Sequence, residues 1–95
     1  MRGYDLVLAN PPFKGSIDKN RIIEDVKVGD TKKTQILFIK YILNSLKSSG
    51  RSAIVVPDGV LFDTEFGFSE IRRQLLNKNL HTIISLPKGV FEPYS

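Results

Sequence analysis

In Tyr4-Asp5-Leu6-Val7-Leu8-Ala9-Asn10-Pro11-Pro12-Phe13 an apolar run ends abruptly in an amide, two prolines and an aromatic ring. The run Leu6 to Ala9 is short and continuously apolar, as expected of a parallel strand buried on both faces. Pro11 cannot donate to a sheet ladder and biases Asn10 away from the helical region, so the strand must stop there. Asn10 is thereby delivered at the carboxyl end of a strand, where open α/β sheets place their ligands. Its side-chain oxygen can accept a hydrogen bond, as can the Pro11 carbonyl, and Phe13 offers a flat face for stacking. Such a set suits an exocyclic amine on a planar ring. Asn-Pro also starts ordinary turns, so from these residues alone a turn and a site both stand.

Working outward, the next organised stretch is helical. From Thr34 to Ser48, Ile39, Ile42, Leu43 and Leu46 recur at i, i+3, i+4 and i+7 and make one apolar face, which Phe38 widens. Tyr41 reads as core with Phe38. Thr31 or Thr34 can cap the start, and Gly50 suits the stop. Ser52 to Val56 is a second short apolar strand, again closed by proline. A helix between two buried strands is a βαβ unit, so the strands are expected to run parallel.

Pro57-Asp58-Gly59 repeats the first arrangement, a turn with proline at a strand's carboxyl end. Asp58 can either face the crevice beside Asn10 or cap the next element, and capping is the commoner use of such a residue. Val60-Leu61-Phe62 is expected to pack under that turn. Ser69 to Asn77 reads as a second helix with Ser69 as N-cap and Ile71, Leu75 and Leu76 inward, leaving Arg72 and Arg73 on a solvated side. Leu80 to Leu86 reads as a third strand, with His81 at its start and without a chemical role. Lys88 to Ser95 reads as a loop.

Residues 14–33 hold few apolar side chains and read as a long loop, with room for a short strand or turn, mobile while the site is empty. Lys14, Lys19 and Arg21 follow the motif closely enough to meet phosphate, though solvated loop charges explain them as well. The order β-loop-α-β-α-β belongs to the α/β class and is consistent with half of a doubly wound sheet.

Composition excludes several chemistries. Ninety-five residues allow one small domain or a piece of one. With no cysteine and a single histidine, His81, there is no disulfide framework and no Cys-type or His-rich metal site, and no metal is expected. No apolar run approaches a membrane span and no signal peptide is visible, so a cytoplasmic protein is the default. The net charge of +4 suits nucleic acid without demanding it.

Asn10-Pro11-Pro12-Phe13 resembles the catalytic motif of adenine-specific DNA methyltransferases that use S-adenosylmethionine. Thr34-Gln35-Ile36-Leu37-Phe38-Ile39, the block Leu46 to Phe62, and Leu86-Pro87-Lys88-Gly89-Val90-Phe91-Glu92-Pro93-Tyr94 resemble the modification subunit of type I restriction systems. The similarity covers nearly the whole chain, least over 14–33 and 63–69.

The resemblance implies the C-terminal half of a Rossmann-like, mostly parallel methyltransferase sheet. Asn10, Pro11, Pro12 and Phe13 are then its catalytic residues. DNA, specificity subunits and restriction subunits are the implied partners. It also implies a cofactor cradle before Met1 and target-recognition parts after Ser95, which makes residues 1–95 a partial catalytic domain, inactive alone. The strand near Tyr4 would lack a neighbour, and so would those near Ser52 and Leu80. Self-association through a sheet edge, or direct pairing of the Ser52 and Leu80 strands, would close the gap. Two other readings remain: a protein-glutamine methyltransferase, which usually carries Tyr at Phe13, and a non-catalytic nucleic-acid-binding or assembly module.

Overall fold

The computed structural model describes residues 3–11, 21–78 and 80–90. In chain order they form β1 (Tyr4–Ala9), a 3-10 turn at Glu24–Val26, α1 (Thr34–Ser45), β2 (Leu46–Ile54), α2 (Gly59–Phe62) and α3 (Phe66–Asn77). The protein is a small α/β structure in which β1 and β2 make a two-stranded parallel sheet. The parallel pairing expected of strand, helix and strand is therefore present.

Pairing is regular from Leu6 opposite Arg51 to Ala9 opposite Ile54, but Tyr4 lies opposite Leu46. Lys47 to Gly50 thus stand opposite Asp5 alone, and β2 starts at Leu46, earlier than the expected Ser52. Gly50 sits inside the strand and does not end the helix. A methyl group on it would lie 2.8 Å from the Tyr4 carbonyl oxygen, so the irregular pairing depends on glycine there. The expected helix end at Ser48 moves back to Ser45, because Leu46 is already extended (φ −83°, ψ 143°).

Burial of β1 differs from expectation. Leu6 and Leu8 are 60% and 72% exposed, while Val7 and Ala9 are half-buried. One face of the sheet has no layer over it among the described residues, so an apolar run does not here mean burial on both sides.

The core lies instead among the helices. Ile36, Ile39 and Leu43 of α1 pack with Val60 of α2, Phe68 and Ile71 of α3, and Val28 from the long loop. Val28 ties that loop to the core although its neighbours are polar. Gly67 brings α3 close to α1, since a Cβ there would lie 3.0 Å from both Ile36 Cδ1 and Thr31 Cβ. Phe38 and Tyr41, expected inside, are 38% and 43% exposed, because the buried stripe of α1 runs through Ile36, Leu37, Ile39, Ile42 and Leu43. Leu76 is exposed too, whereas Ile71 is fully buried and Leu75 packs against the cluster.

Helix starts also move. Lys33 holds the N-cap position of α1, and its N–H donates to Thr31 Oγ1 at 3.3 Å, so Thr31 braces the entry while Thr34 is already helical. α3 begins at Phe66, three residues before the expected cap. Asp63 Oδ1 accepts from the Glu65 N–H at 2.9 Å, and Ser69 lies within the helix, donating to the Phe66 carbonyl.

The arginines of α3 are engaged. Arg72 donates to the Val60 carbonyl at 2.9 Å and ties α3 to α2. Arg73 pairs with Glu70 through both carboxylate oxygens. Gln74 donates to Glu70 and accepts from Lys40 of α1 at 2.7 Å.

The hydrogen bonds from Arg73 and then Gln74 hold the Glu70 carboxyl down at about 2, against an ordinary 4.5. The folded state thus binds fewer protons than the unfolded chain in this window, and stability rises with pH across it. The contribution is complete above about 4.5 and is lost as the pH falls through about 2. Glu70→Gln is expected to flatten the dependence of melting temperature on pH between those limits. An unchanged slope would show that the pair does nothing for stability.

The expected third strand is absent. Leu80 to Leu86 forms no strand and does not pair with β2, and Leu80, Ile83, Ile84 and Leu86 are 42%, 60%, 76% and 50% exposed. Its apolar pattern fits a strand, but a strand also needs a ladder partner, and none lies beside it among the described residues. No described helix is long and apolar enough to cross a membrane.

Candidate active site at the carboxyl edge of the sheet

Parallel strands end on the same side, so β1 and β2 deliver their last residues to one edge. The Val55 N–H donates to the Ala9 carbonyl at 3.0 Å, which carries the pairing to the last residue of β1 and one residue past β2. Asn10 and the Pro57-Asp58 turn are the next groups there. Asn10 is exposed and its side chain makes no hydrogen bond to a described residue. Pro11 is buried, which fixes the backbone beside that free amide, and no described donor reaches its carbonyl.

Asp58 takes the N-cap position of α2, yet its side chain makes no cap hydrogen bond. Its backbone is helical (φ −56°, ψ −30°), and its own carbonyl accepts from Leu61 and Phe62 at 2.9 and 3.2 Å. The backbone does the capping that the sequence assigns to the carboxylate. Below the turn Val60 is buried as expected, but Phe62 is 75% exposed.

The structure therefore brings Asn10, Pro11 and Asp58 to one edge. Pro12, Phe13, Lys14 and Lys19 lie outside the described residues, as do 14–20 of the expected mobile loop. Arg21 is exposed, and no ion pair holds it among the described residues. His81 is exposed. Two shallow grooves lie elsewhere, one lined by Asp30, Thr31, Glu65, Phe66 and Gly67, the other between β1 and α1. Neither holds Asn10. No group of His, Cys, Asp or Glu among the described residues could hold a metal ion.

Comparison with known proteins bears on this edge. The profile of the family described as N-6 DNA Methylase matches residues 1–95. The chain belongs to that family. It is 42% identical, over 96% of its length, to the methylase subunit of the type I restriction enzyme EcoEI of Escherichia coli. It is equally identical, over 90% of its length, to the EcoKI methylase subunit of Escherichia coli strain K12. These alignments take in 19% and 16% of the relatives. In a crystal structure, a modification subunit assigned to a type I restriction enzyme of Vibrio vulnificus YJ016 matches 96% of the chain with a TM-score of 0.77 at 36% identity, using 20% of its own length. The chain thus spans about a fifth of the proteins it matches.

The family implies a methyl donor, and the described residues can be tested for a place to hold it. A cradle for a nucleoside and an amino acid calls for a glycine-rich turn after a strand. No G-x-G occurs in the chain, and β1 runs out into two prolines that offer no N–H. The described residues of this edge offer hydrogen-bond acceptors, Asn10 Oδ1 and the Pro11 carbonyl. The described residues there do not fit the donor's methionine and ribose.

Proposed function

We propose that this chain is the catalytic-motif part of an adenine-specific DNA methyltransferase of a type I restriction-modification system. On this reading it is the C-terminal half of a Rossmann-like sheet whose donor, S-adenosylmethionine, is held elsewhere in the longer protein. The observation that carries the reading is the exposed Asn10 amide, bonded to no described residue, at the carboxyl end of β1 in a chain matched throughout by the N-6 DNA methylase family.

The chemistry asked of these residues is positioning. Adenine leaves the duplex at a cost of a few kcal/mol, and stacking on Phe13 returns about 1–3 kcal/mol. Asn10 Oδ1 and the Pro11 carbonyl accept the two amine hydrogens. That turns the nitrogen lone pair out of the ring's conjugation and toward the position of attack. The proton leaves after the methyl group has arrived, so no acid or base is required, and alignment supplies the rate.

Lys14, Lys19 and Arg21 are assigned to the DNA backbone, and specificity and restriction subunits are the proposed partners, in the cytoplasm. Nothing observed supports self-association of this chain through its sheet edges. The test is transfer of labelled methyl groups to DNA by the full-length protein with its specificity subunit, followed by digestion to nucleosides. Label in N6-methyladenine is expected; label in cytosine or in protein glutamine would replace this reading.

A further inference from the structure

We draw no further inference here: the strongest candidate, the shallow apolar groove between β1 and α1 lined by Leu6, Leu8, Tyr41 and Ile42, is an open face of the fold, and nothing in the structure shows what covers it.

Discussion

Asn10→Ala is expected to lower methyl transfer by at least about 100- to 1000-fold, the scale on which a single preorganised polar group acts on a reacting centre. The full-length protein should keep its affinity for S-adenosylmethionine within a few-fold, because the amide is proposed to act on the amine and not on the donor. It should also keep its melting temperature, since the Asn10 side chain is exposed and bonded to no described residue. Asn10→Asp retains an acceptor for the amine and should lose less. The measurement is single-turnover transfer with cofactor binding followed in parallel. Full activity in Asn10→Ala would remove the amide from the mechanism, and a matching loss of cofactor affinity would move the donor's site to this edge.

What could be foreseen here follows from how local each signal is. Asn10 after a short apolar run and before two prolines needs only neighbouring residues to be read, and the structure places it at a strand's carboxyl end. The apolar spacing of α1 is equally local, and Ile39, Ile42 and Leu43 are buried.

Non-local features were not visible. Leu80 to Leu86 has the pattern of a buried strand, yet a pattern cannot show whether a ladder partner is present. Leu6 and Leu8 fail as two-sided burial for the same reason, because burial depends on a second layer. Lys47 to Gly50 are extended although their composition suggests a helix end, since the deciding contact is with the Tyr4 backbone. Within the site, Asp58 looks like a cap by residue type, but the Pro57 and Asp58 carbonyls already accept from the Val60 and Leu61 N–H groups it would have served. Phe68 carried a usable signal. It stands three residues before Ile71, on the same helical face, where the expected start of α3 at Ser69 left it outside.

Phe68→Ala is expected to destabilise the protein by about 3–5 kcal/mol, the range for truncating a fully buried aromatic ring. The ring is 1% exposed and belongs to one cluster with Val28, Ile36, Ile39, Leu43, Val60 and Ile71. Lys33 Nζ stands 5.1 Å from its centroid, adding a cation to its face. The cavity would open where α1, α2, α3 and the long loop meet, and none of these can close it without moving another. Phe62→Ala is the control: at 75% exposure its loss should cost no more than about 0.5 kcal/mol. Denaturant unfolding of the full-length variants measures both, and a larger loss for Phe62 would mean that this core is wrongly placed. Val60 lies in the same cluster two residues after Asp58, so loosening the core also frees the turn at the site's edge. Activity should therefore fall together with stability in Phe68→Ala and fall without it in Asn10→Ala, which separates the residue that acts on the base from the packing that holds the edge in place.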